Sequence, residues 1–199
     1  MITRVPENPI RKLRESRHLT QKDLAELAGV TPQRVLREEQ FIYASPSEAI
    51  LTALSENELG QKRLSNDYCI ARAQLHLDFR EDLVTSPFYE EYVGHCVDYA
   101  IDYWDALSEL RSPTRLFREQ LFEQYGLPPS AVKFSMYTGM HPGTLSDIET
   151  GKTDWKGASA LIRVLEDSLN VPERHIEQLG ILHDQYFMRL VRREVRGNG

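Results

Sequence analysis

The sequence predicts an all-α fold: two small helix-turn-helix bundles joined by a long acidic helical connector. Three observations predict it. First, residues 138–152, TGMHPGTLSDIETGK, repeat in outline residues 28–42, AGVTPQRVLREEQFI. In each, a small residue, Gly, an apolar residue, a polar residue and Pro lead into a short helical run, and Gly29 reaches Glu39 as Gly139 reaches Glu149. Such a turn between two short helices is the middle of a helix-turn-helix. Second, the chain between the copies places apolar residues at helical spacing with few breakers. Third, that middle carries the whole charge deficit. The chain has 24 Lys and Arg against 30 Asp and Glu, and residues 57–111 hold 5 basic and 11 acidic residues. Residues 1–56 hold 8 of each sign and residues 112–199 hold 11 of each. The expected division is 1–57, 58–111, 112–172 and 173–199.

The first unit opens on IRKLRESR (10–17), with Ile10 and Leu13 on one face and basic residues elsewhere. Thr20 is a good N-cap for QKDLAELA (21–28), where Leu24, Leu27 and Ala28 share a face and Ala25 leaves room for a crossing helix. Gly29 can take positive φ and end that helix. Thr31 then caps a third helix whose first position suits Pro32. In PQRVLREEQ (32–40), Val35 points inward and Gln33, Arg34 and Arg37 lie on the exposed face. Residues 1–22 hold six basic residues, Arg4, Arg11, Lys12, Arg14, Arg17 and Lys22, against Glu7 and Glu15. A local patch of this kind attracts phosphate despite a net charge of −6.

LTQKDLAELAGVTPQRV and the preceding KLRESR resemble the Cro/cI phage-repressor (XRE-like) helix-turn-helix family over roughly 50 residues. The resemblance implies a five-helix bundle whose third helix enters the major groove of duplex DNA. It makes Gln33, Arg34 and Arg37 base readers, since Arg pairs with guanine and Gln with adenine bidentately. It makes Gln21 a phosphate contact, joined by Lys22, Arg11, Arg17 and Thr31. It makes Arg14 and Glu39 a structural pair tying helix 1 to helix 3. The segment departs from the family at Glu38, where an apolar residue is expected, and at Leu36, where a polar one is usual. Either helix 3 is rotated slightly, or Leu36 meets a thymine methyl.

In the middle, SPSEAILTALSE (45–56) reads as a fourth helix capped by Ser45 or Ser47. GQKRLSNDYCIARAQLHLDFRED (60–82) carries an apolar stripe of Leu64, Tyr68, Ala71, Leu75 and Phe79. FYEEYVGHCVDYAIDYWDALSEL (88–110) sets Tyr92, Cys96, Tyr99, Tyr103 and Leu107 down one side, and Asp98, Asp102 and Asp105 down another. Trp104 is expected to be buried between units or at a dimer interface. Glu91 and His95 stand four apart, without the Glu-x-x-His of a di-iron bundle, so no metal is expected.

The second unit repeats the plan with PTRLFREQLFEQYGL (113–127), AVKFSMYT (131–138) capped by Ser130, and PGTLSDIETGK (142–152), with Leu145 and Ile148 inward. WKGASALIRVLEDSLNVP (155–172) supplies a further helix. Its contacting positions are poorer. Ala131 replaces Gln21, Asp147 stands where Arg37 does, and Gln124 roughly replaces Arg14, which leaves Glu149 expected to lack an ion-pair partner. His141, Gly143, Thr144, Ser146 and Asp147 form its reading face, with Lys133, Lys152 and Lys156 available to phosphate. DNA reading and a retained fold used for packing or partner binding both stand. The tail, from 173, reads as a closing helix with a basic end, Arg189, Arg192, Arg193 and Arg196; a dimer helix or a phosphate-touching tail are the alternatives.

These observations point to a sequence-specific double-stranded DNA-binding transcriptional regulator, a repressor in a phage, prophage or bacterial setting, reading a bipartite site if both units bind. The alternative is a protein-interaction module, antitoxin-like or anti-repressor, whose acidic connector holds a partner. A homodimer fits the case where one unit alone reads DNA. No nucleophile elbow, P-loop, HExxH or recombinase signature is present, so neither an enzyme nor a cofactor is expected. No run of 18 apolar residues and no apolar leader region occur, and two cysteines without a CxxC fit a reducing compartment. The expected place is the bacterial cytoplasm, at the nucleoid.

Overall fold

The computed structural model describes residues 5–105 and 110–197. Arg4, Leu107 and the side chain of Arg196, singled out above, lie outside the described residues. The fold is all-α. It divides into two compact units, Thr3–Phe79 and Arg80–Gly199. Among the described residues, no helix is long and apolar enough to cross a membrane.

In the first unit, α1 (Pro9–Ser16), α2 (Gln21–Ala28), α3 (Pro32–Glu39) and α4 (Glu48–Leu54) are short, and α5 begins at Glu58. Each start has a chemical cause. Asn8 accepts from the Ile10 and Arg11 amides, and Thr20 and Asp23 form a capping box at α2. Thr31 caps α3, with Pro32 at its first position. Ile10, Leu24, Val35, Ile50 and Leu54 are fully buried and make the core. α5 (Glu58–Val84) adds Leu64, Tyr68, Leu75 and Phe79 of the sequence stripe to the buried set, while Ala71 is half-buried. It also ties down the loop after α3. The Tyr68 hydroxyl donates to the Tyr43 carbonyl at 2.9 Å, Arg72 Nε donates to the Phe41 carbonyl at 3.2 Å, and the Tyr68 and Phe41 rings lie 5.1 Å apart.

The second unit holds α6 (Tyr89–Tyr103), α7 (Pro113–Gln124), α8 (Ala131–Thr138), α9 (Pro142–Glu149), α10 (Ser159–Arg163), a π-helical turn (Val164–Ser168) and α11 (Glu173–Gly197). α6 packs on α7, and α11 packs on both. The buried face of α6 is Tyr89, Val93, Cys96, Val97 and Ala100, with Trp104 following. This corrects the tyrosine stripe read from the sequence. Tyr92 and Tyr99 are half-buried and Tyr103 is exposed, because the aliphatic residues one position away fill the closer space against α7. Trp104 is buried within this unit, beneath the Arg189 guanidinium, which sits 4.5 Å from its ring centre and pairs with Asp105.

α11 also closes over the end of α9. Tyr186 donates to the Glu149 carbonyl at 3.2 Å, and Asp184 accepts from the Trp155 amide at 2.9 Å. His183, fully buried, donates through Nε2 to the Thr153 carbonyl at 2.8 Å, while its Nδ1 has no hydrogen-bond partner among the described residues. Burial holds His183 below its ordinary pKa of 6.5, against the opposing bond to Thr153 and the charges of Asp184 and Asp154. The unfolded chain therefore binds this proton more readily than the folded one. The stability that goes with the neutral ring is whole above pH 6.5 and is lost as the pH falls through the lower, folded value. Thermal unfolding of the full chain should show a steeper loss of stability as the pH is lowered below 6.5 than in His183→Gln, which does not titrate. Equal slopes would refute the assignment.

Candidate nucleic-acid interface

The α2–α3 pair is set by one left-handed residue and one buried ion pair. Gly29 takes φ 64° and ends α2, and three residues later α3 starts. Arg14, on α1, then reaches across. Its Nε donates to Glu39 Oε1 at 2.5 Å, its Nη2 to Glu39 Oε2 at 3.4 Å, and its Nη1 to the Leu19 carbonyl at 2.6 Å. The last bond fixes the residue just before the α2 N-cap. Gln21 Nε2 donates to Glu39 Oε2 at 2.7 Å, so this side chain closes the clamp as well as standing at the start of α2.

Glu38 is the departure from the family pattern, and the structure accounts for it. The helix is not rotated: Val35 and Glu38 face inward, as Leu145 and Ile148 do on α9. The Glu38 carboxylate is fully buried and accepts from the Ser47 amide at 3.2 Å, supplying the start of α4, where the Ser47 side chain makes no capping bond. It also accepts from Arg34 Nε at 2.6 Å. The Arg34 guanidinium lies over the Tyr43 ring, 3.6 Å from its centre. Arg34 is thus held from two sides. Leu36 is half-buried.

The outer side of α3 carries the exposed Gln33 and the half-buried Arg37, whose side chain makes no hydrogen bond or ion pair among the described residues. Thr31, exposed, is occupied in accepting from the Arg34 amide at 3.2 Å. Arg11, Arg17 and Lys22 are exposed; Arg11 pairs with Glu15 at 2.8 Å, and Lys22 with Glu26 at 3.9 Å. Exposed pairs of this kind are weak and exchange readily with another anion.

The same geometry recurs in the second unit. α8 and α9 match α2 and α3 in length, eight residues each, and Gly139 takes φ 76° at the turn. Glu149 does have an ion-pair partner, contrary to the reading that put Gln124 in that role. Arg118 Nε donates to Glu149 Oε1 at 2.6 Å, Nη2 to Oε2 at 3.1 Å, and Nη1 to the Pro129 carbonyl at 2.5 Å, just before the Ser130 N-cap. The sequence carried a signal for this. PIRKLRE (9–15) and PTRLFRE (113–119) start α1 and α7 with Pro and share Arg-x-x-Arg-Glu. Counting back from the turn misses it, because α7 has twelve residues to the eight of α1 and the stretch from it to the next N-cap, 125–129, is two residues longer than 17–19. Tyr43, which lies under Arg34, left no comparable sequence signal.

The exposed face of α9 differs in chemistry. His141 Nδ1 accepts from the Gly143 amide at 3.1 Å, capping the helix. Gly143 and Thr144 are exposed, and Asp147 pairs with Lys152 at 2.9 Å, so that these two charges cancel locally. Lys133 is half-buried, its Nζ 3.9 Å from Met136 Sδ; Lys156 and Ser146 are exposed.

Removing one partner of a buried ion pair leaves the other uncompensated and costs about 3–5 kcal/mol. Glu39→Ala and Arg118→Ala should each lower stability by about 3 kcal/mol in urea unfolding. Arg115→Ala, which breaks only an exposed pair with Glu119, should cost under about 1 kcal/mol. Loss of similar size in all three would sink the distinction.

Residues 10–57 match the helix-turn-helix family model. Comparison with curated proteins finds no match, and comparison with solved structures finds none. The clamp, the left-handed turn and the family match fall on the same residues. This segment is a helix-turn-helix of the Cro/cI phage-repressor (XRE-like) type, the type carried by DNA-binding transcription regulators.

Proposed function

We propose that the chain is a sequence-specific reader of double-stranded DNA that represses transcription by occupying its site, in the cytoplasm of a bacterium or from a phage or prophage. The observation that carries this reading is the outer face of α3, where the exposed Gln33 and the half-buried Arg37, neither with a hydrogen bond or ion pair among the described residues, stand on a frame fixed by the Arg14–Glu39 clamp. Gln33 and Arg37 read base edges. Arg11, Arg17, Lys22, Gln21 and Thr31 set the register on phosphates. Arg34, held by Glu38 and Tyr43, supports the reading face rather than contacting bases directly.

The second unit makes the smaller contribution in this reading. Ala131 cannot reach a phosphate as Gln21 can, and the α9 face offers His141, Gly143 and Thr144 beside a self-neutralised Asp147–Lys152 pair. These features favour α9 as a contact for a weaker half-site or for protein. Its cations Lys133 and Lys152 would serve phosphate only after exchange of their present contacts.

Selecting bound duplexes from a random pool tests the reading directly. Gln33→Ala and Arg37→Ala should each weaken binding to the selected site by about tenfold to a hundredfold, the loss of one bidentate base contact. His141→Ala should change it less. No enriched sequence, or full binding by the Gln33→Ala, Arg37→Ala double variant, would overturn DNA reading through α3. Two unlike motifs at fixed spacing would assign base reading to both units.

A further inference from the structure

Among the described residues, α11 leaves one face without a partner in its own unit. Ile181 is 61% exposed, Met188 49%, Val191 38% and Val195 72%. They recur at intervals of seven, three and four residues, which places them along one side of a helix. The opposite side, Ile176, Leu179, Leu182, His183 and Tyr186, is buried. A soluble helix ordinarily shows water a polar face there.

The charges along α11 are segregated. The first half exposes Glu173, Glu177 and Asp184; the second exposes Arg189, Arg192 and Arg193. Arg174 in the first half is already paired with Glu90 at 2.6 Å, and Arg189 with Asp105. Arg192 and Arg193 make no ion pair among the described residues. Two such helices side by side in parallel would set arginine against arginine and acid against acid. Side by side in opposite directions about Met188, Asp184 of each copy meets Arg192 of the other.

We infer that the α11 face is a self-association surface, on which a second copy of this chain docks with its α11 antiparallel and the two-fold axis at Met188. That register stacks Met188 on its own copy and sets Ile181 against Val195 of the other chain. It brings Asp184 and Arg192 to the same level across the seam, around the shallow groove that Asp184, Gln185, Met188, Arg189 and Arg192 line. The stripe from Ile181 to Val195 is about 21 Å long at 1.5 Å per residue. A contact of that length lies at the small end of specific interfaces, so the dimer is reversible and concentration-dependent. The inference does not depend on DNA reading.

Sedimentation equilibrium of the full chain without DNA tests it. The expected result is a dimer mass at about 100 μM that falls toward a monomer at about 1 μM. Met188→Glu, which puts two carboxylates on the axis, should be monomeric throughout with an unchanged helical circular dichroism signal. Register is read by oxidation in a Cys69→Ser background, since Cys69 is exposed and Cys96 buried. Met188→Cys should cross-link to a disulfide dimer; Ile181→Cys alone should not, and should do so when mixed with Val195→Cys. A wild-type monomer at every concentration, or a dimer that survives Met188→Glu, overturns the proposal. Cross-linking by Ile181→Cys alone overturns the antiparallel register.

Discussion

An arginine that holds a glutamate with one edge and a backbone carbonyl with another is the constraint on which both units depend. In the first, Arg14 fixes the end of α3 through Glu39 and the approach to α2 through Leu19. In the second, Arg118 does the same through Glu149 and Pro129. Each guanidinium is almost wholly withdrawn from water and can be tolerated there only because its donors meet an ionised carboxylate and a carbonyl. The planar fork makes the geometry specific: one side chain sets the angle between three helices. With the left-handed glycine it places the exposed face of the following helix, whatever residues that face carries.

The two units share this frame and differ in what they show to solvent. On α3 the polar face keeps Gln33 and Arg37 available, and one arginine is drawn back onto a tyrosine. On α9 a carboxylate and a lysine satisfy each other. Position therefore comes from the buried residues and affinity from the exposed ones, and the two can change independently.

Helix starts and the turns were legible in the sequence, because Thr20, Thr31, Ser130, Gly29, Gly139 and the prolines act locally. α2 and α8 run over the residues their caps imply. The buried stripe of α5 was legible for the same reason, a simple helical period. What failed needed three dimensions. The face of α6 shifted because tyrosines and aliphatics both fit the period and only packing decides between them. Arg118 was missed because a longer α7 and a longer stretch after it displaced the register from the turn. The task of Glu38 could not be read at all: a buried acid in an apolar position makes sense only when Ser47 and Arg34 are seen to converge on it. Among the candidate contacts, Gln33 is exposed and Arg37 half-buried, both without a hydrogen bond or ion pair among the described residues, while Arg34 and Gln21 have internal partners.

The hold that α5 keeps on the loop after α3 has a practical meaning for how this protein can be cut. Tyr68 and Arg72 lie beyond residue 57, where the family match ends, yet they bind the Tyr43 and Phe41 carbonyls that shape the ground under Arg34. A fragment stopped at 57 would expose Phe41 and release that loop. The smallest excised piece that keeps these two bonds under its reading helix ends no earlier than Arg72, so the supported unit is longer than the recognisable motif it contains.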